Sequence, residues 1–383
     1  MKSNKWIRLL TILATLVIGA VTHLPAQPEE EAGKDWPMPR GSLLRNGQVK
    51  DSNIQPPFEL AWRYRAKKSI EAEPVIVDGI VYCATYYGEV SAVDIETGKA
   101  KWKRDVSTGF NAGAAIVGDR IYISDEDSNV FCLKKEDGSE IWRYAAEAEC
   151  HSSPAVIEDR VYFGSYTDFL YCLDAKTGEK IWEFQTGGPV HCSPTVYDGL
   201  AYVAGCDGVL RGIDIKTGEL GWEEALGTYA AASPAVHNDI IYAGHFASEI
   251  MALNAKTKVR EWAFQTDTGD FPFYGSAAVN DQYLVAGSRD GNIYCLDPES
   301  GKQNWFYKTR GEVDASPLIS DEWTAIGSKD GTFYVINLES GELMWKYVAG
   351  SSIPAGAAYA DGYIVFGDMN GTLYCLKQKN AKD

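Results

Sequence analysis

The side chains best suited to chemistry in this sequence are two histidines, each of which stands beside a cysteine. His151 follows Cys150 in "CHSSP", and His191 precedes Cys192 in "HCSP". Imidazole and thiolate groups are common ligands of zinc and related metal ions. If the fold joins them, His151, His191 and Cys192 are candidates to hold a metal ion or a small polar ligand. The alternatives are an ordinary solvated surface, or a disulfide between Cys150 and Cys192, whose separation the sequence does not fix.

No other catalytic pattern stands out. The serines Ser153, Ser193 and Ser233 stand in "SP" steps and not in the G-x-S-x-G elbow of serine hydrolases. The sequence contains no H-E-x-x-H segment and no glycine-rich phosphate loop. Any function of the two histidines therefore depends on the elements that position them.

The elements that position the two histidines belong to a sequence repeat, which is visible in the spacing of the tryptophans. Eight of the eleven tryptophans follow one another at a regular spacing, with one longer interval between the sixth and the seventh. They are Trp62, Trp102, Trp142, Trp182, Trp222, Trp262, Trp305 and Trp345. A fixed period near 40 is typical of propellers and other repeat arrays.

Each repeat is interpreted as four short strands. Between Glu147 and Thr186, segments rich in Val, Ile, Tyr and Phe alternate with turn residues, among them Lys176-Thr177-Gly178. Pairs such as Asp207-Gly208 predict two-residue hairpin turns elsewhere in the chain. No helical period competes with this pattern after the N-terminus. The sequence therefore predicts an all-β fold of four-stranded antiparallel blades.

The two ends of the repeat array predict how the ring closes. The last unit ends after "LYCLK" without its own tryptophan strand, and the first tryptophan strand, Phe58 to Ala66, has no three strands before it. The N-terminal strand should therefore complete the eighth blade of a propeller that spans residues 58–379. The phrase "DAKTGEKIWEF" recurs because each tryptophan covers the gap between blades, a burial that stabilises by ~2–3 kcal/mol.

The topology also predicts one varied face. Innermost strands begin where outermost strands end, so their first residues should ring one mouth of the central channel. Alignment on "HSSP" places there Glu71, Asn111, His151, His191, Ala231, Phe273, Asp314 and Ile353. We take six as candidate binding residues: Glu71, Asn111, His151, His191, Phe273 and Asp314.

Aromatic residues in the turns of the same face are candidates for contact with a protein partner or an extended peptide. They are Tyr86, Tyr87, Tyr166, Phe169 and Phe246. The alternative is that these rings pack on adjacent blades.

Half of the eight cysteines occupy one repeat position. These are Cys132, Cys172, Cys295 and Cys375, and other repeats place Gly, Ala or Val there. A position that accepts such residues is a small buried packing site, so we expect free thiols.

The N-terminus resembles an export signal. Basic residues up to Arg8 precede an uncharged apolar run, Leu9 to Val21, and small Ala26 offers a cleavage point. We expect a signal peptide over 1–26, or alternatively an uncleaved anchor, followed by a linker and N-terminal segment over 27–57. The mature chain should then be periplasmic or secreted, monomeric and without a membrane span.

The net charge argues against a nucleic-acid partner. The chain carries −17, and removal of Lys2, Lys5 and Arg8 with the signal lowers this to −20. Such a surface repels phosphate backbones.

Several motifs together resemble the pyrroloquinoline-quinone-type propeller repeat. They are the D-x-x-T-G-x-x-x-W phrase at Asp94, Asp174 and Asp214, the eight-fold closure, and "DWPMPRG" from Asp35 to Gly41. The resemblance implies one of two functions. One is that of the quinoprotein alcohol and glucose dehydrogenases, and the other that of the outer-membrane assembly factor BamB, a scaffold that binds partner proteins without a cofactor.

The resemblance also implies a test for the enzyme. In the dehydrogenases the quinone is stacked between a tryptophan and a disulfide of two adjacent cysteines, beside Ca²⁺. This sequence has no Cys-Cys pair and no long insertions. We therefore expect a non-catalytic, BamB-like scaffold without cofactor that binds an envelope protein or a small ligand, and the alternative is a dehydrogenase that uses pyrroloquinoline quinone with Ca²⁺. No cysteine stands near the cleavage point for a lipid anchor, which departs from BamB.

Overall fold

The computed structural model of this protein contains eight four-stranded antiparallel sheets. It describes residues 33–50, 54–267, 269 and 271–379. The expected signal peptide, residues 1–26, lies outside the described residues, as does the linker up to residue 32. The all-β propeller of eight blades that the repeat predicts is confirmed.

Seven blades are continuous in sequence, and the first strand, β1 (Phe58–Arg65), belongs to the eighth. Blades 1 and 2 contain β2 (Val75–Val77), β3 (Ile80–Ala84), β4 (Glu89–Asp94), β5 (Ala100–Asp105), and β6 (Ala115–Val117), β7 (Arg120–Ser124), β8 (Asn129–Lys134), β9 (Glu140–Ala145). Blades 3 and 4 contain β10 (Ala155–Ile157), β11 (Arg160–Ser165), β12 (Phe169–Asp174), β13 (Lys180–Gln185), and β14 (Thr195–Tyr197), β15 (Leu200–Ala204), β16 (Val209–Asp214), β17 (Leu220–Ala225). Blades 5 and 6 contain β18 (Ala235–His237), β19 (Ile240–His245), β20 (Glu249–Asn254), β21 (Arg260–Gln265), and β22 (Ala278–Val279), β23 (Leu284–Gly287), β24 (Asn292–Leu296), β25 (Gln303–Lys308). Blades 7 and 8 contain β26 (Leu318–Ile319), β27 (Trp323–Gly327), β28 (Thr332–Asn337), β29 (Leu343–Val348), and β30 (Ala358–Ala360), β31 (Tyr363–Gly367), β32 (Thr372–Gln378).

The ring closes as the sequence predicts. Strand β1 pairs antiparallel with β32 from Phe58 opposite Gln378 to Arg65 opposite Thr372, with a β-bulge between Leu60 and Trp62. The eighth blade therefore joins the two ends of the propeller through backbone hydrogen bonds, in the strand order β30, β31, β32, β1. The four cysteines of the repeat position are buried and free, which confirms that part of the prediction.

The recurring Thr-Gly phrase is explained by contact between blades. Trp142, on the outer strand of blade 2, donates from Nε1 to the carbonyl of Ala175 in blade 3 at 3.1 Å. A Cβ atom on Gly178 would lie 2.7 Å from the Trp142 ring, and the backbone there has a φ of +75°. Glycine is required at this turn both for its left-handed backbone and for the close approach of the indole.

Blade 5 solves the same packing problem without glycine. Lys258 stands at the glycine position with a φ of +64°. Its ammonium donates to the Ala255 carbonyl and lies 5.5 Å from the centre of the Trp222 ring. The lysine side chain therefore covers the indole that glycine would otherwise contact.

The N-terminal segment, residues 36–49, lies across the channel and binds the inner strands. Its backbone carbonyls accept hydrogen bonds from inner-strand N–H groups of Ile76, Ile116, Val196, Val236, Val279 and Ile319. Arg45 is buried and donates to the carbonyls of Pro194 at 2.8 Å and Ser153 at 3.1 Å. Arg40, also buried, donates to Ala277 O at 3.0 Å. The segment thus links blades that are far apart in sequence.

Within the described part of the chain, the structure contains no helix of the length and apolarity needed to cross a bilayer.

Candidate functional site

One end of the propeller, which we call the mouth face, is formed by two kinds of loop. They are the links that lead into each inner strand and the turns between the second and third strands of each blade. The two kinds are hydrogen-bonded to each other, for example Tyr86 N–H to Ser69 O at 3.0 Å and Tyr166 N–H to Glu149 O at 2.9 Å. The Thr-Gly turns lie on the other end, the turn face, where Ala175 N–H contacts Asp159 O at 2.8 Å.

A ladder of serines fixes which residues surround the mouth. Each N–H donates to the serine Oγ of the next blade at 2.9–3.0 Å, from Ser153 to Ser193, Ser233, Ser276 and Ser316. Counting two residues back from each serine gives His151, His191, Ala231, Tyr274 and Asp314. The sequence alignment was therefore wrong in blade 6, where Tyr274 and not Phe273 reaches the mouth.

Phe273 belongs instead to a buried set that packs on the second strand. It is fully buried, and a Cβ on Gly244 would lie 2.9 Å from it. Ile353 is also fully buried and has the same relation to Gly327, at 2.3 Å. The expected placement of Ile353 was thus wrong too, and the next residue, Pro354, takes the equivalent position. The sequence alignment of the inner-strand entries failed in blade 6 because of the three-residue insertion near Phe273. It failed in blade 8 because that blade has no "SP" step.

Two histidines and two tyrosines form the centre of the mouth. The Tyr166 hydroxyl is 2.8 Å from His191 Nδ1, and the Tyr274 hydroxyl is 3.2 Å from His191 Nε2. The His151 and His191 rings stack with their centroids 5.4 Å apart. Burial, with a smaller contribution from His151, lowers the pKa of His191 to about 4. A neutral imidazole has one donor and one acceptor nitrogen, so the two tyrosines satisfy both.

Polar contacts continue from this centre toward blade 2. His151 Nε2 is 3.1 Å from Glu149, and its Nδ1 contacts the Asn111 amide. Asn111 donates in turn to Glu126 at 3.0 Å. In blade 1, Glu71 accepts from Ser69 at 3.0 Å, and burial raises the pKa of the Glu71 carboxyl.

On the other side of the centre lies a group of charged side chains. Arg289 holds Asp314 through two hydrogen bonds of 2.8 and 2.9 Å, and its guanidinium lies 4.2 Å from the centre of the Tyr274 ring. Lys329 is 2.8 Å from the same aspartate. Sequence reasoning missed Arg289 and Lys329, because each comes from a turn and reaches the ring residue beside it.

The cysteines do not join the histidines. Cys150 and Cys192 are buried free thiols and not a disulfide. The Cys192 sulfur accepts the N–H of Ala204 at 3.0 Å, and burial raises the pKa of this thiol to about 12. In the described part of the chain, no three His, Cys, Asp or Glu side chains are grouped to hold a metal ion, so His151, His191 and Cys192 do not form such a group.

The predicted aromatic residues differ in exposure. Tyr87 is 53% exposed, and its ring contacts Tyr86 and the Lys68 ammonium. Tyr166 packs on His151, with ring centroids 4.7 Å apart. The rings of Phe246 and Tyr274 lie edge to face, with their centroids 6.3 Å apart.

Phe169, the fifth of these residues, packs on Tyr171 of the same strand, β12, with ring centroids 5.8 Å apart. Three exposed apolar side chains on the mouth face were missed by sequence reasoning: Tyr229, Phe271 and Met369. Phe271 lies in the insertion, which is the one signal that singles it out.

The residues of the mouth do not match the quinone site that the resemblance implies. A flat quinone between an aromatic ring and a disulfide needs an open slot at the axis. Here His191 contacts His151, Tyr166 and Tyr274 directly, and every cysteine of the chain is a free thiol. These side chains would have to separate to admit such a ring.

Comparison with known proteins agrees with the architecture. A family model described as outer membrane protein assembly factor BamB matches residues 42–144, 135–269 and 262–383. Over 84 residues, the chain is 37% identical to quinohemoprotein alcohol dehydrogenase of Comamonas testosteroni, a match that covers 20% of this chain and 11% of that protein. Over 39 residues it is 41% identical to BamB of Yersinia pestis, or 10% of each. These sequence matches thus span about a tenth of the length of each relative.

Solved structures share the fold at low identity. BamB from Moraxella catarrhalis superposes with a TM-score of 0.75 at 14% identity, over 84% of this chain and all of that one. The Comamonas testosteroni dehydrogenase gives 0.80 at 15% identity, over 91% of this chain and 81% of that one. The family model covers most of the sequence in three overlapping matches. The chain therefore belongs to the BamB family of propellers with pyrroloquinoline-quinone-type repeats.

Proposed function

We propose that this chain is a non-catalytic scaffold of the cell envelope that presents its mouth face to a protein partner. The observation that carries the proposal is a rim of exposed apolar side chains around a polar centre. Tyr87, Tyr229, Phe271 and Met369 are 53%, 60%, 44% and 40% exposed. Aromatic residues and methionine are enriched at the centres of protein interfaces.

The polar centre supports the same function. Its histidine, tyrosine, arginine and aspartate side chains bind one another across blades 3, 4, 6 and 7. Side chains already fixed by such contacts lose little conformational entropy when a partner covers them. A preorganised surface of this kind suits recognition, whereas the chemistry of a quinoprotein comes from its cofactor.

An envelope location is part of the proposal. It is supported by the apolar run from Leu9 to Val21 and by the family's description as an outer-membrane assembly factor. N-terminal sequencing of protein recovered from the envelope should begin after Ala26. Recovery of protein that still begins at Met1 from the cytoplasm contradicts export.

Photo-crosslinking tests the proposed surface. A benzoylphenylalanine placed at Tyr229 or Phe271 should crosslink to one envelope protein, because both side chains lie on the mouth face. Phe306 is the matched control, since it is 56% exposed but lies on the outer strand of blade 6. Tyr229→Ser and Phe271→Ser should weaken capture of that protein at least tenfold without changing the thermal midpoint. Equal crosslinking from Phe306, or capture that survives both substitutions, contradicts the proposal.

Titration with pyrroloquinoline quinone and Ca²⁺ separates the scaffold from the dehydrogenase. We expect no bound quinone absorbance at equimolar concentrations, because His191 already contacts both Tyr166 and Tyr274 in the mouth. A stoichiometric complex contradicts the scaffold proposal and favours the dehydrogenase.

A further inference from the structure

A groove between blades 1 and 2 opens on the turn face, away from the mouth. Its volume is about 320 Å³, and its floor is formed by Ile80, Tyr82, Ala92 and Trp102 of blade 1. Its rim carries three lysines and three carboxylates, which are Lys101, Lys134, Lys135, Asp78, Asp119 and Glu136. The repeat allows this groove to be compared with the equivalent places between other blades.

Between blades 2 and 3, a guanidinium occupies the equivalent place. Arg120 stands one repeat after Ile80, and its Nη1 donates to the carbonyls of Ala175 at 3.0 Å and Lys176 at 3.1 Å. Tyr122 and Trp142 donate to the Ala175 carbonyl as well, each at 3.1 Å. One carbonyl thus receives three donors beside an aromatic wall.

The next gap repeats this arrangement. Arg160 Nη1 donates to Ile215 O at 2.7 Å and to Lys216 O at 2.9 Å. In the gap after that, the Lys258 ammonium lies 5.9 Å from the Tyr202 ring and 5.5 Å from the Trp222 ring. Three successive gaps are therefore filled by a cation that the chain itself supplies.

Blade 1 lacks this cation. Ile80 has no donor to offer the carbonyls of Lys135 and Glu136, which correspond to those that Arg120 binds. Trp102 donates to Lys135 O at 3.1 Å, as Trp142 and Trp182 do to Ala175 O and Ile215 O in the next two gaps. Ala92 stands where blade 2 has Cys132, so the groove is wider as well. Blade 5 also has an aliphatic residue, Ile240, but there Pro298 takes the place of Lys135, and its carbonyl accepts both Tyr242 and Trp262.

The charge of the rim admits a cation. Lys135 is neutralised by Asp78 at 2.7 Å, and Lys101 lies 3.5 Å from Asp94. Asp119, which lies 3.8 Å from Arg120 Nε, and Glu136 line the edge of the groove together with Lys134, so the three lysines and three carboxylates of the lining balance. Aromatic faces such as that of Trp102 also attract ammonium and guanidinium groups.

We propose that the groove between blades 1 and 2 binds a guanidinium or primary ammonium group from outside the chain, in the place that Arg120 and Arg160 fill in the next two gaps. The group donates to the carbonyls of Lys135 and Glu136 and lies against Trp102. Either an arginine or lysine side chain of a peptide or a small guanidinium compound has this chemistry. The site lies on the turn face and does not depend on the proposed scaffold function.

Saturation-transfer NMR with N-acetyl-arginine amide tests the site on the mature chain. We expect transfer to the side-chain methylenes next to the guanidinium and at least tenfold weaker binding of N-acetyl-citrulline amide, a neutral isostere. Ile80→Arg should abolish binding of the arginine compound, because the new guanidinium occupies the groove. Ile80→Leu should bind within twofold of the wild type.

A second arginine variant tests whether Ile80→Arg acts only through its added positive charge. Val259→Arg adds the same charge at an exposed position on a distant turn and should leave binding unchanged. A Gly-Ser peptide with a single central arginine distinguishes the two sources: binding as tight as that of the amide indicates a peptide ligand, and binding of the amide alone indicates a small compound. Equal binding by the Ile80→Arg variant, or equal binding of the citrulline compound, overturns the proposal.

Discussion

The contact between each tryptophan and the glycine turn of the next blade can be measured with two alanine substitutions. Gly178 has a φ of +75°, and a Cβ there would lie 2.7 Å from the Trp142 ring. Gly199 has the same φ of +75°, but a Cβ there meets nothing within 4 Å. The pair therefore separates backbone strain, which both variants share, from the contact between blades.

The expected magnitudes follow from these two terms. Alanine in the left-handed region costs ~1–2 kcal/mol, which is the whole effect expected for Gly199→Ala. Forcing the Trp142 ring to move adds the cost of overpacking, ~1–3 kcal/mol, in Gly178→Ala. At roughly 2 °C per kcal/mol for a large chain, the thermal midpoint of Gly178→Ala should lie about 2–6 °C below that of Gly199→Ala.

The assay is thermal unfolding followed by circular dichroism and by tryptophan fluorescence. The near-ultraviolet signal should change only in Gly178→Ala, because only that substitution displaces an indole. Equal midpoints for the two variants refute the claim that the glycine is required by the tryptophan of the preceding blade, and leave backbone conformation as its sole reason.

Three further predictions concern closure, the channel segment and pH. Removal of Phe58–Arg65 exposes the edge of β32, so the chain should elute as aggregates in size-exclusion chromatography; a monomer with unchanged stability contradicts closure by this strand. Arg45→Met leaves the carbonyls of Pro194, Pro39 and Ser153 without their donor and should destabilise by about 3 kcal/mol in urea unfolding, whereas the exposed Arg310→Met should change little; equal effects contradict the role of Arg45. The folded pKa of His191 is about 4, below its usual 6.5, so the unfolded state takes up the proton first and stability falls as the pH drops from 6.5 to 4, by roughly 3 kcal/mol from this group. His191→Gln should lose less stability over that window than the wild type, and an identical pH profile of unfolding contradicts a neutral buried imidazole.

The sequence predicts the architecture well because the same types of side chain recur at the same position of each repeat. A tryptophan in each repeat marks the outer strand, and the unpaired strands at the two ends determine the closure. These features depend on burial, which residue types report directly. The predicted ring is therefore confirmed at the level of blades and strands.

The details of loops were predicted less well. The pair Asp207-Gly208 was expected to form a two-residue hairpin turn, but only Gly208 has a positive φ, and its N–H closes a four-residue turn onto Gly205 O at 3.1 Å. The register at Phe273 failed for a related reason, since one insertion shifts a loop without changing its composition. Loop geometry depends on backbone conformation, which several sequences satisfy equally.

The channel segment could not be predicted from side-chain periodicity. Residues 36–49 bind the inner strands mainly through backbone groups, which every residue type carries. Only the buried arginines give a signal, and a sequence does not show which arginines are buried. The segment "DWPMPRG" resembles the start of the quinone-type propellers, but only the structure shows that it lies in the channel.

The placement of this segment has a consequence for how the two faces can be used. Residues 36–49 bind the inner strands across the axis. The mouth ring, which includes His191 and Tyr274, lies where the chain enters those strands. The groove beside Trp102 lies on the turn face and near the edge of the disc. A partner on the mouth face and a cation in the groove therefore contact different loops and can bind at the same time. Ile80→Arg should leave crosslinking from Tyr229 intact, and Tyr229→Ser should leave binding of the arginine compound intact; a loss in either direction means that the two faces are coupled through the blades.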